Sequence, residues 1–262
     1  MTRLGQGHLA AGEPVLTAAL LRAGLLDVDP DTAPPDVDLA DAGVVYAEAL
    51  TSRSTPNPTA LRWARYAHRA SASTRGADND QSVHAAAVLA DVLAAYRLDT
   101  AAIGVRRRLV AVLTGRDGAL AATTITACVR LAVTEHAAGY CQAGITRLTG
   151  AWQRWSARYG TADLHSVAMR LDLAAMLAAC GRAKEAAHTS RQAFAAFAAT
   201  GGSTGGGTPA LSELPHPPVA GPPTGGNHAT VCARRRRRPS RTDSLRRTRS
   251  AAWSFACPEL LP

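Results

Sequence analysis

The chain has 262 residues, of which 47% are hydrophobic but only 5% aromatic, and its formal charge is +9. That length allows one or two buried cores, built on Ala, Leu and Val rather than on rings. Lys184 is the only lysine and sits in Ala183-Lys184-Glu185, so the Gly-Lys-Ser/Thr of a phosphate-binding loop is missing and that NTPase class is excluded.

Residues 14–26, PVLTAALLRAGLL, read as one helix or an N-terminal cap. Glu13 and Arg22 interrupt this apolar stretch, so no secretory signal is evident, and no run of 18 apolar residues exists to span a membrane. An acidic, proline-rich linker completes a first segment, residues 1–36. Its Asp27-Val28-Asp29-Pro30-Asp31, with Asp38 eleven residues after Asp27, approximates calcium-loop spacing. Thr32 replaces the turn glycine, and Pro30, Pro34 and Pro35 stiffen a loop that would have to wrap an ion, so the linker reading is preferred.

Subtraction exposes an internal repeat from here on. Leu89-Ala90, Leu131-Ala132 and Leu173-Ala174 stand 42 residues apart. The same interval relates Gly76, Gly118, Gly160 and Gly202, the small residues Ala60, Ala102, Gly144 and Ala186, and the apolar Val83, Ile125 and Val167. Ser82, Thr124 and Ser166 precede the apolar column and are expected to N-cap the first helix of each unit. Apolar residues then recur at helical spacing, as in Val83, Ala86, Leu89, Ala90 and Leu93. Gly139 and Gly181 suit a left-handed C-cap. A second helix follows, with Ala102, Gly144 or Ala186 where it crosses the first. One such hairpin cannot cover its own apolar face, so stacking is what stabilises it.

The block Leu173-Ala174, Gly181-Arg182-Ala183-Lys184-Glu185-Ala186 and Ala193-Phe194 resembles a tetratricopeptide repeat. The period is longer than the usual one and resembles the kinesin-light-chain type, common in actinobacterial proteins. Tyr159-Gly160-Thr161-Ala162-Asp163-Leu164-His165-Ser166 is similar to that type's Gly-x-x-His-Pro linker, without the proline. The resemblance implies an all-α fold, a right-handed α-solenoid of stacked hairpins over residues 37–200. Units fall at about 37–78, 83–124, 125–166 and 167–200. The first keeps Ala60 and Ala67 but has Glu48 and Thr55 where Ala or Gly is expected.

No catalytic constellation emerges. Gly201-Gly202-Ser203-Thr204-Gly205 matches a nucleophile elbow only formally, having no strand before it. The eight histidines, among them His84, His136 and His165, fall at no metal-ligand spacing. Arg106-Arg107-Arg108 reads as a solvated edge, and Trp152 with Trp155, at i and i+3, as core packing. Cys128, Cys141, Cys180, Cys232 and Cys257 form no CxxC pair and are odd in number, which argues for reduced thiols in a cytoplasm. No cofactor or metal is expected, and no enzyme activity.

From Gly201 the composition changes to Gly, Pro and Arg. Residues 201–262 hold nine arginines against Glu213, Asp243 and Glu259, a net of +6. Such a segment cannot bury enough apolar surface to order itself, and reads as a disordered tail. A frameshift in a GC-rich gene would give the same mixture, since the repeat register fails at once after Gly202.

These readings point to a scaffold that binds a peptide or helix of another polypeptide. Transferring the repeat family's groove faces marks His84, Ala87, Asp91, Val129, Arg130, Val133, His136, Leu171 and Ala175, a lining that is mostly small and apolar. The alternative is nucleic-acid or anionic-surface binding through Arg234, Arg235, Arg236, Arg237, Arg238, Arg241, Arg246, Arg247 and Arg249.

Overall fold

The computed structural model describes residues 14–25, 27–52 and 57–199, and the tail with its arginines lies outside them, as do Thr55 and Pro56. The described residues form nine α-helices and no strand. They are α1 (Pro14–Leu25), α2 (Val37–Thr51), α3 (Pro58–Arg75), α4 (Asp80–Ala95), α5 (Asp99–Asp117), α6 (Ala122–Ala137), α7 (Cys141–Tyr159), α8 (Leu164–Ala179) and α9 (Ala183–Ala199). From α2 onward they pair as consecutive hairpins, the all-α stacked architecture expected from the repeat.

The chain divides into two compact units after Arg116. In the first, α1 packs on α2, α2 on α3 and α4, and α3 on α4. In the second, α6 packs on α7, α7 on α8, and α8 on α9. Within each unit, then, a second helix such as α3 or α7 also supports the first helix of the next hairpin.

Alanine is what lets these helices approach. Ala47, Ala67, Ala90, Ala132, Ala151 and Ala193 are all fully buried. At the crossing column Ala60, Ala102 and Ala186 are buried too, and Gly144 occupies the tightest place. A Cβ there would lie 2.7 Å from the Ala132 carbonyl oxygen and 3.0 Å from His136 Cβ, so α6 and α7 meet at a separation that excludes even alanine. The first hairpin solves its packing differently. Trp63 makes edge contacts with Tyr46 and Tyr66, and Gly43 leaves room for its ring, to which a Cβ would stand at 3.1 Å.

Turn chemistry repeats with the same period. α6 and α8 end in Schellman-type turns with Gly139 at φ 84° and Gly181 at φ 76°. Tyr140 N–H donates to the Glu135 carbonyl, and Arg182 N–H to that of Leu177. At the equivalent place after α4 stands Arg97, at φ 58°, the single non-glycine residue with positive φ among those described.

The caps differ from expectation. Ser82, Thr124 and Ser166 lie three residues into α4, α6 and α8 and are buried. The N-caps are Asn79 and Asp163, whose side chains accept from Gln81 N–H and from His165 and Ser166 N–H, while Ala121 holds the third cap position without a side-chain bond. Ser166 Oγ instead donates to the Gly160 carbonyl at 2.7 Å, tying the helix to its own linker.

The acidic linker is clamped by α3. Arg62 pairs with Asp29 and Asp31, Arg69 donates to the Pro30 carbonyl, and Tyr66 Oη donates to that of Pro34. Asp36 caps α2 by accepting from Leu39 N–H.

Candidate functional site

The residues expected to line a groove fall on first helices, in two separate sets. In the first unit α4 carries His84, Ala87 and Asp91, with His84 and Asp91 exposed. His84 Nε2 stands 3.3 Å from a Glu48 carboxylate oxygen on α2. Burial pushes the Glu48 pKa up; His84 opposes that rise and Asp91 adds to it. Asp91 in turn pairs with Arg106, whose side chain reaches it from α5 with only 6% exposed. The arginine run is thus divided. Arg107 and Arg108 are exposed, as a solvated edge requires, whereas Arg106 is buried and makes an ion pair.

In the second unit Val129, Arg130, Val133 and His136 lie on α6, and Leu171 and Ala175 on α8. Val129 and His136 are buried, whereas Arg130, Val133 and Leu171 are half-buried and Ala175 is exposed. Asp172 joins them. Burial raises its pKa to about 6 against the pull of the Arg130 cation. Arg130 and Asp172 occupy the same column of consecutive repeats, 42 residues apart, so the same subtraction that revealed the repeat could have paired them. Glu48 was visible only as a departure from pattern. The expected lining is accordingly more charged than its small apolar reading.

Behind this face, Glu135 is fully buried and receives two hydrogen bonds from Arg147, at 2.9 and 3.3 Å, which satisfy a carboxylate that would otherwise be costly to bury. Trp155 is a packing residue, buried with its Nε1 donating to Asp163 and its ring against Tyr159 and His165. The Arg170 guanidinium covers the Trp152 ring at 4.3 Å from its centroid. Cys128 and Cys180 are reduced thiols, while Cys141 is disulfide-bonded, which departs from the all-thiol expectation. The donor atoms of His136, Cys141 and Cys180 gather within 4.8 Å of one another, although no motif spacing announced them.

No family model and no curated protein matches the sequence. Solved structures do resemble it. A Podosopora anserina kinesin light chain candidate with nearly identical TPR-like repeats superposes with a TM-score of 0.65 at 16% identity, over 76% of this chain and 94% of that one. A methionine-substituted variant of the same protein gives 0.66 at 16% identity, over 76% and 93%. BtubC (BKLC) from P. vanneervenii gives 0.60 at 18% identity, over 82% and 85%. The fold is therefore the tetratricopeptide-like class of helical repeat. No helix among the described residues is long and apolar enough to cross a membrane.

Proposed function

We propose that this chain is a non-catalytic scaffold that holds a peptide or helix of another polypeptide on its first-helix faces. The observation that carries this reading is Asp172, a carboxylate half-buried on α8 beside Arg130. Such a group costs folding stability, yet beside Arg130 it supplies a charge in low dielectric, where a partner's cationic or N–H group is held strongly. The tetratricopeptide-like fold supports the reading, since stacked first helices offer side chains to an extended or helical ligand.

A displayed peptide library panned against the full chain tests it. Peptides recovered should lose about tenfold or more in affinity, at least ~1.4 kcal/mol, for Ala175→Arg and for Asp172→Asn. Gln153→Arg, on the exposed side of α7, should leave binding unchanged. Selected peptides that bind all three variants as they bind the native chain would remove this face from consideration.

A further inference from the structure

Among the described residues of the second unit, the ligating side chains of one histidine and two cysteines draw together. His136 lies in the last turn of α6, Cys141 opens α7, and Cys180 caps α8. His136 Nε2 is 3.3 Å from Cys180 Sγ, and one donor atom of each residue lies within 4.8 Å of the other two. Bonds of about 2.3 Å to sulfur and about 2.0 Å to nitrogen place donors roughly 3.5–3.8 Å apart around a tetrahedral ion. The His136–Cys180 edge already has that length within a few tenths of an ångström, and the other edges need a contraction of about 1 Å at most. We propose that His136, Cys141 and Cys180 form a site for a thiophilic divalent cation of the Zn2+ type in the thiol-reduced protein.

The surroundings favour the ligating forms. Cys141 is the first residue of a 19-residue helix, where the helix dipole stabilises a thiolate. Two thiolates neutralise a dication, so the loaded site would carry no net charge into this largely buried position. His136 Nε2 also lies 3.2 Å from the Met176 carbonyl oxygen, so ligation through Nε2 requires the ring to give up that proton to solvent and take one on Nδ1. The close contact of Gly144 with His136 fixes the backbone that carries the imidazole. Packing does not call for these residue types, because one or two repeats away the equivalent positions hold Ala94 and Ala178, Asp99 and Ala183, and Tyr96 and Ala138.

Cys141 is disulfide-bonded, so the site requires that bond to be reduced. An external dithiol does this by exchange: it closes to its own disulfide and releases Cys141 and its former partner as thiols. The Cys141 and Cys180 thiols then give their protons to solvent as the ion binds. Three protein donors leave the fourth tetrahedral position to water.

Full-length protein, reduced with a dithiol and desalted without oxygen, is titrated with Co2+ and then Zn2+. One equivalent of Co2+ should give thiolate-to-cobalt charge-transfer absorption, displaced by Zn2+, and Zn2+ should raise the melting temperature. Cys141→Ser and Cys180→Ser should each lose the band and the thermal shift while keeping helical circular dichroism. Cys128→Ala should keep both, and protein left oxidised should bind no stoichiometric cobalt. A band missing from the reduced native chain, or one that persists in either serine variant, overturns the site.

Discussion

Arg97 is strained where its two counterparts are not. A left-handed conformation costs a non-glycine residue about 1–2 kcal/mol, partly offset by the roughly 0.5–1 kcal/mol of extra unfolded-state freedom that glycine brings. Arg97→Gly should therefore raise stability by about 0.5–1 kcal/mol, and the long ion pair it gives up, to half-buried Asp99 at 3.6 Å, subtracts little because the arginine end is exposed. Chemical denaturation measures this; a loss of stability would mean that the side chain does more than tolerate the turn. Asp172 is the second residue whose cost can be read out. Its folded pKa, about 6, exceeds the ordinary 3.8, so the folded chain binds the extra proton between those values. Stability from this group falls as pH rises through that window and stays low above it, by on the order of 3 kcal/mol. Asp172→Asn should match the native chain at about pH 4 and exceed it above about pH 7. A stability difference that does not change with pH would exclude the burial of a charged carboxylate.

Helix pairs show why part of this structure was legible in the sequence. The period of 42 residues is the length of one hairpin with its two links, so any column fixed by geometry repeats visibly. Small residues at the crossing and glycines after second helices are such columns, and Gly118 and Gly160 share φ 91° and 95°. Caps were harder to place. A hydroxyl serves equally well at an N-cap and three residues inside, and the true cap column, Asn79, Ala121 and Asp163, contains an alanine that hides it. Donor clusters leave no periodic trace at all. His136, Cys141 and Cys180 come from three different columns and meet only because α6, α7 and α8 fold together. The crossing itself is testable. Gly144→Ala forces a Cβ to within 2.7 Å of backbone oxygen and should cost about 1–3 kcal/mol by thermal or chemical unfolding. Ala186→Leu should cost a similar amount between α8 and α9, whereas Ala187→Leu, exposed on the same helix, should be nearly neutral. Equal stabilities across the three would contradict the close approach.

For the molecule as a whole, the two binding readings separate by salt and by deletion. Attraction between the net +6 of residues 201–262 and a nucleic acid should fall steeply between about 50 and 200 mM salt, because each neutralised phosphate releases counterions. Removal of those residues should abolish such binding and spare peptides held on the first-helix faces. If the truncated chain loses its peptides, the helical faces are not where they bind. The recurrence of one backbone conformation at Gly76, Gly118 and Gly160 has a further consequence, at the level of the gene. Recombination that gains or loses 42 codons joins one such glycine to the sequel of another, so both sides of the scar already fit. Any other length puts a helix start where a turn must be. Viable length variants of this protein should therefore differ by whole multiples of that unit.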